Sequence, residues 1–250
     1  MERTLIAIVP AAGVGARAAT EGDMPKQYRQ IAGEAVLRRT VRALLAEPRV
    51  TQVRVAVSAQ DTWVDEALAG LPRTVWRACG GPTRAATVRA ALRDAALAPG
   101  AWVMVHDAAR PGLPHDALAR LIDACYRHGQ GGLLATPVTD TVKRAAQGVP
   151  TQRGAPGSCA DRPPATVAQT LDRELLWLAQ TPQMFRADEL LDALDASADD
   201  PRVTDEASAM ELFGPAGIAA LLVPGARSNT KLTWPEDFEW LEMWFSRSDR

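Results

Sequence analysis

The stretch Ile6-Ala7-Ile8-Val9-Pro10-Ala11-Ala12-Gly13-Val14-Gly15-Ala16-Arg17 decides the fold class of this 250-residue chain. Its first part is a short, continuous apolar run, which is typical of a strand buried on both faces of a parallel sheet. Its second part contains two glycines, whose missing side chains let backbone N–H groups approach an anion. The stretch therefore predicts a central strand that leads into an anion-binding loop.

Strand-like and helix-like segments alternate from residue 6 to residue 137. Further strands are predicted at 53–57, 74–78, 102–106 and 132–137, and helices at 34–47, from Asp61 onward, at 83–97 and at 114–128. This alternation predicts an α/β domain with a mainly parallel sheet flanked by helices and right-handed crossovers. We expect residues 1–250 to form a single domain.

The alternation stops near Thr141, where an excursion of about residues 139–171 begins. Residues 145–165 are rich in Gly, Pro, Ala and Ser and lack apolar periodicity, which is typical of a loop. The polar-alternating segments 139–144 and 166–171 on either side predict a two-stranded arm. Because an isolated two-stranded ribbon is only marginally stable, we expect the arm to pack on another surface, such as a second subunit. Beyond it, helices are predicted at 187–196, at 204–213 with Thr204 as N-cap, and at 235–244, with a strand at 219–223.

The composition excludes several classes of protein. Lysine and arginine total 28 and aspartate and glutamate 30, so the net charge of −2 gives no whole-molecule basic field for nucleic acid. The 3 cysteines are widely spaced and form neither a CxxC pair nor a disulfide framework. The apolar run before Pro10 is too short for a signal segment or a membrane span. We therefore expect a cytoplasmic protein without nucleic-acid or membrane partners.

Asp107 directly follows the predicted strand 102–106. An acid at the carboxyl end of a buried parallel strand lies where open α/β sheets bind ligands. Mg²⁺ prefers one or two carboxylates together with phosphate oxygens and water, so Asp107 is a candidate metal ligand. Arg110 is a candidate for holding a substrate phosphate. His106 is either a general base or a structural residue.

Lysine is rare in this chain and occurs only at positions 26, 143 and 231. All three lie within polar segments that also carry other candidate site residues. Lys26, in Pro25-Lys26-Gln27, and Arg17 add positive charge that can meet phosphates beside the glycine-containing loop.

The segment Ala11-Ala12-Gly13, with Gly15, Arg17 and Pro25-Lys26-Gln27, resembles the nucleotide loop of nucleotidyltransferases that act on sugar or polyol phosphates. Further motifs stand at His106-Asp107-Ala108-Ala109-Arg110-Pro111, Asp140-Thr141-Val142-Lys143, Asp172-Arg173 with Leu176-Trp177, Thr181-Pro182-Gln183, Thr204-Asp205-Glu206-Ala207-Ser208, and Asn229-Thr230-Lys231-Leu232-Thr233 with Pro235-Glu236-Asp237. Together, in order and over nearly the whole chain, they resemble the family of 2-C-methyl-D-erythritol 4-phosphate cytidylyltransferases.

The resemblance implies a Rossmann-like core, a homodimer whose protruding β-arm embraces the partner, and a reaction of CTP with a polyol phosphate in the presence of Mg²⁺. It implies catalytic roles for Arg17, Lys26, Arg173 and Lys231, nucleotide contacts from Ala11, Ala12, Gly13, Gly15, Gly81 and Thr87, and substrate contacts from Asp107, Arg110, Thr141 and Thr181, with Asp107 also at the metal. Thr141 and Arg173, on the arm, would serve the partner subunit's site. Pro82 departs from the family pattern, which usually has an acidic or polar residue just after the Gly-Gly pair. A contact to the base from that side chain or its N–H is lost, because proline has no N–H.

Three other functions remain open at this point. A ribitol 5-phosphate cytidylyltransferase would share the loop and the metal-binding acid. A catalytically silent nucleotide-binding module would keep the loop without the chemistry. A dinucleotide-dependent oxidoreductase is disfavoured, because Ala18 replaces the third glycine of that fingerprint and Ser58 stands where its acid is expected.

Overall fold

A computed structural model describes residues 4–13, 24–146, 164–197, 200–215 and 219–248, and it is built around a seven-stranded sheet. The strands of the described residues are β1 Leu5–Pro10, β2 Gln30–Ile31, β3 Glu34–Ala35, β4 Gln52–Ala56, β5 Thr74–Arg77, β6 Trp102–Val105, β7 Gly132–Pro137, β8 Val142–Ala145, β9 Val167–Leu171, β10 Trp177–Arg186 and β11 Leu221–Pro224. The helices are α1 Val36–Leu45, α2 Val64–Leu68, α3 Arg84–Ala95, α4 His115–His128, α5 Ala187–Ala196, α6 Glu206–Phe213 and α7 Pro235–Ser248.

The main sheet has the order β11-β7-β10-β6-β1-β4-β5. Strand β10 is antiparallel to its neighbours β6 and β7, and the remaining neighbouring pairs are parallel. The predicted mainly parallel sheet is thus confirmed. The carboxyl ends of β1 and β6 lie side by side, because these two strands pair directly.

Helices cover both faces of the sheet, and residues 5–9 of β1 are therefore buried without interruption. Leu5, Ala7 and Val9 pack with residues of α1, α2 and α4, whereas Ile6 and Ile8 pack with residues of α3, α5 and α6. A third, smaller cluster joins α7 to the loop after β11 through Leu232, Leu241 and Phe245, among others. A strand buried on both faces therefore carries the site at its end.

The sequence placed most elements within a few residues, with five differences. The long strand β10 and the two-residue strand β2 were not predicted. The first residues of the helix predicted at 34–47 instead form β3, which pairs with β2. The N-cap of α6 is Asp205 rather than Thr204, because the Asp205 carboxylate accepts the Ser208 N–H while the Ser208 hydroxyl accepts the Asp205 N–H. Finally, α7 extends to residue 248.

The two-stranded arm is confirmed as a ribbon of β8 and β9, which pair antiparallel. Val167 at the start of β9 is exposed, and Leu175 and Leu178 between β9 and the buried part of β10 are exposed as well. The tip of the excursion, residues 147–163, lies outside the described residues. Within the parts of the chain that are described, no helix is long and apolar enough to cross a membrane.

The packing of α4 generates a stability prediction. Leu121 is fully buried between α4 and the sheet. We expect Leu121→Ala to lower the free energy of unfolding by about 2 to 5 kcal/mol, because it removes buried methylene groups and leaves a cavity. Urea denaturation measures the change. The matched substitution Leu175→Ala, at a side chain that is 88% exposed, should change it by less than about 0.5 kcal/mol. Equal losses in the two variants would contradict this packing.

Candidate active site

A cleft of about 450 Å³ opens at the carboxyl ends of β1 and β6, a volume within the range of small-molecule sites. Its lining comprises Pro10, Ala11, Ala12, Gly13, Lys26, Gln27, Gly81, Pro82, Thr83, Arg84, Thr87, Asp107, Ala108, Ala109 and Lys231. The structure therefore brings together eight of the residues that the sequence analysis assigned to the site. Gly15 and Arg17 lie outside the described residues.

The described part of the loop after β1 is held by a buried glutamine. The side-chain amide of Gln27 donates to the carbonyl of Ala11 at 2.9 Å and to that of Gly13 at 3.3 Å. The backbone N–H of Ala11 in turn donates to the carbonyl of Ala56 on β4. Gln27 thereby fixes the loop against the sheet, and it places its neighbour Lys26 at the rim of the cleft.

Two lysines from distant parts of the chain meet in this cleft. The Nζ of Lys26 donates to the carbonyl of Leu232 at 2.6 Å, across 206 residues of sequence. The next residue back, Lys231, places its Nζ 2.9 Å from Oδ2 of Asp107. The side chain of Lys231 is 41% exposed, so its ammonium group is accessible to an anion in the cleft.

Asp107 is a buried carboxylate surrounded by three cations. Its Oδ1 accepts from Nε of Arg84 at 2.9 Å, and its Oδ2 accepts from Nε of Arg110 at 3.3 Å and from Lys231. Burial by itself would raise the pKa of Asp107, but Arg84, Lys231 and Arg110 outweigh it and hold the pKa well below its usual range. Asp107 is therefore a carboxylate at any physiological pH.

Arg84 was not singled out from the sequence, although it links Asp107 to a second buried acid. Its Nη1 and Nη2 donate to the two carboxylate oxygens of Glu206 at 2.6 and 2.9 Å. Glu206 is only 1% exposed, and burial raises its pKa despite the guanidinium beside it. Arg84 stands at the first position of α3, after the Gly80-Gly81 turn, and this is the only sequence signal that could have indicated it.

Thr181 and His106 support Asp107 from behind the cleft. The Oγ1 of Thr181 accepts the backbone N–H of Asp107 at 3.0 Å and lies 2.9 Å from Nδ1 of His106. The His106 Nε2 lies 3.1 Å from the carbonyl of Arg110, which can only accept, so Nε2 carries the proton and the Thr181 hydroxyl donates to Nδ1. Burial lowers the pKa of His106 to about 4, so the ring is neutral at physiological pH.

Arg110 is also placed behind Asp107 rather than in the cleft. Its side chain is buried, and its Nη1 donates to the carbonyl of Asn229 at 2.7 Å. Burial lowers its pKa, although Asp107 opposes the shift. Arg110 and Thr181 thus contact Asp107 and the loop that carries Lys231, and neither is among the described residues that line the cleft.

The opposite wall of the cleft is formed at the start of α3. The Thr87 hydroxyl accepts the backbone N–H of Gly81 at 3.1 Å and donates to the carbonyl of Thr83 at 2.9 Å. Thr87 therefore fixes the turn that contains Gly81 and Pro82, and Thr83 caps α3 by accepting the N–H of Ala86.

Thr141 and Arg173 are not among the described residues that line this cleft. Thr141 directly precedes β8, and Arg173 follows β9 and donates from Nη1 to the carbonyl of Thr139. Both side chains are exposed at the base of the ribbon.

The Arg84–Glu206 pair generates a prediction about stability and pH. In Arg84→Ala, Glu206 stays buried without its partner, so we expect a loss of about 3 to 5 kcal/mol at pH 7.5. Losing the guanidinium raises the folded-state pKa of Glu206 further above its unfolded value. The loss should therefore shrink as the pH falls toward 5.5 and the acid is protonated.

Urea denaturation at the two pH values measures both effects. The control is Arg93→Ala, whose ion pair with Asp195 is exposed, and it should cost less than about 1 kcal/mol at either pH. A loss in Arg84→Ala that is small, or that grows on acidification, would contradict the role assigned to the buried pair.

Comparison with known proteins identifies relatives over the whole chain. A family model described as 2-C-methyl-D-erythritol 4-phosphate cytidylyltransferase matches residues 5–247. A protein of that name from Bordetella pertussis is 59% identical over 247 residues, which cover 98% of this chain and 100% of the relative. Another, from Vibrio vulnificus, is 44% identical and covers 98% of this chain and 95% of its own.

Solved structures agree with this match. A crystal structure of a 4-diphosphocytidyl-2C-methyl-D-erythritol synthase is 36% identical, with a TM-score of 0.78 and coverage of 98% of this chain and 99% of its own. The Francisella tularensis 2-C-methyl-D-erythritol 4-phosphate cytidylyltransferase is 31% identical, with a TM-score of 0.74 and coverage of 96% and 99%. The sequence match, the sheet and the cleft at its carboxyl edge agree, and the chain belongs to the 2-C-methyl-D-erythritol 4-phosphate cytidylyltransferase family.

Proposed function

We propose that this chain transfers the CMP group of CTP to 2-C-methyl-D-erythritol 4-phosphate and releases pyrophosphate, as a step in non-mevalonate isoprenoid precursor synthesis. The observation that carries the proposal is the convergence of Lys26, Lys231 and Asp107 on one cleft at the carboxyl edge of the sheet, in a chain of this family. Two ammonium groups in one cleft suit a reaction between two phosphate-bearing substrates.

The reaction is an in-line displacement at phosphorus. A phosphate oxygen of the polyol forms a new bond to the α-phosphorus of CTP, and the bond from that phosphorus to the bridging oxygen of pyrophosphate breaks, so both electrons leave with pyrophosphate. Such chemistry needs positioning and charge neutralisation more than a covalent nucleophile. Lys26, together with Arg17 beyond the described residues, would offset charge on the α-phosphoryl group and on the leaving pyrophosphate.

No side chain has to remove a proton from the attacking group. A phosphate monoester has its second pKa near 6, so it is largely a dianion at neutral pH. His106 does not suit the role of general base, because both ring nitrogens are engaged and the ring is buried. His106 instead contacts Thr181, whose hydroxyl accepts the backbone N–H of Asp107. Lys231 would orient the attacking phosphate.

The residues of the cleft fit a Mg²⁺ ion that is held mainly by its substrates. The described residues contain no group of three or more His, Cys, Asp or Glu side chains that could together hold a metal ion. The Asp107 carboxylate has about four acceptor positions, and three cations use three of them. Asp107 would be the protein ligand, as Mg²⁺ typically takes one carboxylate with phosphate oxygens and water. When bound, the ion would neutralise developing charge on the phosphates.

The ribbon would complete the site across a homodimer. Thr141 and Arg173 are exposed at its base, and Val167, Leu175 and Leu178 leave apolar surface uncovered there. A two-stranded ribbon with exposed apolar side chains gains stability when a second subunit covers it. Thr141 and Arg173 would then reach the substrate phosphate in the partner's cleft.

The alternative substrate, ribitol 5-phosphate, is distinguished by comparing kcat/KM on the two polyol phosphates. The family assignment favours the methylerythritol phosphate, since the curated relatives bear that name. If kcat/KM is substantially higher on ribitol 5-phosphate than on 2-C-methyl-D-erythritol 4-phosphate, the proposed substrate is wrong.

The nucleotide panel tests the proposed reaction. Pyrophosphate release is measured with Mg²⁺ and 2-C-methyl-D-erythritol 4-phosphate, with CTP, UTP, GTP and ATP in parallel. We expect release with CTP alone.

Lys26→Ala should lower kcat on the order of a hundredfold, about 3 kcal/mol of transition-state stabilisation, because the ammonium group facing the phosphates is lost. The control Arg127→Ala removes an exposed charge from α4 and should leave kcat unchanged. CTP binding without pyrophosphate release would favour a catalytically silent nucleotide-binding module over the proposed enzyme.

Subunit mixing tests the shared site. Arg173→Ala and Lys26→Ala should each be nearly inactive alone, since each alters both sites of its dimer. After unfolding and refolding together, half of the dimers are mixed, and each mixed dimer has one site with both residues intact. Activity should therefore return to about a quarter of the wild-type value. If Arg173 serves the cleft of its own chain, or if the protein is a monomer by sedimentation, no activity will return.

A further inference from the structure

The loop between β11 and α7 brings Lys231 to the cleft, and its position depends on a buried amide. Asn229 is 0% exposed, and its Nδ2 donates to the carbonyl of Thr181 at 2.7 Å and to Oε1 of Gln180 at 3.1 Å. A backbone carbonyl can only accept, so the amide must present its nitrogen to β10. Its Oδ1 has no hydrogen-bond partner among the described residues. The Asn229 side chain therefore binds β10 only through the two N–H groups of its amide.

A second amide completes the attachment of the loop to β10. The Nε2 of Gln180 donates to the carbonyl of Ala226 at 2.9 Å, while its Oε1 accepts from Asn229. Gly225 permits this contact, since a Cβ there would lie 2.4 Å from that Oε1. On the other side, a Cβ on Gly112 would lie 2.2 Å from the carbonyl of Ser228, so the loop is packed closely from both sides.

Asn229 also connects the loop to the buried carboxylate of Asp107, through Arg110. The carbonyl of Asn229 accepts from Nη1 of Arg110, whose Nε contacts Asp107, and Lys231 contacts Asp107 two residues further along the chain. The loop is therefore fixed to β10 by an amide and to Asp107 by an arginine, immediately before the lysine that faces the cleft.

We propose that Asn229 is a positioning residue that sets the Lys231 ammonium against Asp107 in the cleft. The meaning of this for catalysis rests on the proposed function, in which Lys231 orients the attacking phosphate. Asn229 itself touches no substrate, because it is buried behind Lys231 and is not among the residues that line the cleft.

Asn229→Asp is the sharpest variant. It keeps the size and shape of the side chain, but it replaces the NH₂ group with an oxygen that faces two acceptors. We expect kcat to fall on the order of a hundredfold, since displacement of a positioning group by about 1 Å has effects of that size. The KM for CTP should stay within about threefold, because the loop after β1 and the turn at Gly81 are unaffected.

A spectroscopic measurement separates positioning from general damage. The chain has only three lysines, at positions 26, 143 and 231. Labelling lysine with ¹³C at the ε carbon therefore gives three signals, which are assigned with Lys143→Arg and Lys231→Arg. In Asn229→Asp the Lys231 signal should move toward its position in Asp107→Asn, where the ion pair is lost, while the Lys143 signal should not move. Arg227→Ala, an exposed position in the same loop, should leave both kcat and the Lys231 signal unchanged.

The outcomes decide between the alternatives. Folded Asn229→Asp with kcat within threefold of wild type, or with lowered kcat and an unmoved Lys231 signal, would overturn the proposal. If that variant does not fold, Gln180→Ala takes its place, because it removes one of the two acceptors of the amide, and the same criteria apply. Wild-type protein without CTP-dependent pyrophosphate release would refute the proposed function alone, since the Lys231 signal still tests the positioning.

Discussion

The burial of the Asp107 carboxylate is the constraint on which the rest of the site depends. It follows β6, a strand whose residues are all buried, and an unpaired carboxylate in that setting would be prohibitively costly. The fold compensates by bringing a cation from each of three segments: Arg84 from α3, Arg110 from the loop after β6, and Lys231 from the loop after β11. The acid thus assembles the site, because each segment is held where its cation meets the carboxylate.

These three cations differ in their exposure and in their other partners, and this difference determines which of them a ligand can reach. The guanidinium of Arg84 is also bound to Glu206, and that of Arg110 also donates to the carbonyl of Asn229. Lys231 is the most exposed of the three, and it lines the cleft with Lys26. The described lining of the cleft contains three cations, Lys26, Arg84 and Lys231, and one carboxylate, Asp107, although the whole chain carries a net charge of −2. In the proposed function an acidic protein would hold phosphates, since the field that attracts them would be local.

The sequence predicted those parts of the fold and site that depend on local pattern. The alternation of strand-like and helix-like segments predicted the mainly parallel sheet, and Asp107 after β6 lies in the cleft at the carboxyl edge of that sheet. Strand β10 was missed because Pro182 interrupts it, where the pairing register with β7 shifts, and because its first residues are exposed and its last ones buried. Arg84 was missed because its partner Glu206 lies 122 residues away, and nothing in the local pattern distinguishes it from the many other arginines. Long-range pairing of this kind is visible only in the folded chain.

The two lysines of the cleft are linked through the backbone, and this explains why the loop after β11 needs attachment from behind. Lys26 donates to the carbonyl of Leu232, the residue next to Lys231, so the ammonium of one lysine supports the segment that carries the other. In the proposed function, a phosphate bound by Lys26 would compete with that carbonyl and would weaken a contact that holds the loop. Asn229 donates to Thr181 on β10, and Gln180 of β10 donates to Ala226 in the loop, and none of these four is among the described residues that line the cleft. The Leu232 N–H also donates to the carbonyl of Ala109. In the proposed function both lysines would then engage phosphates at once, because β10 holds the segment before Lys231 independently of the two ammonium groups.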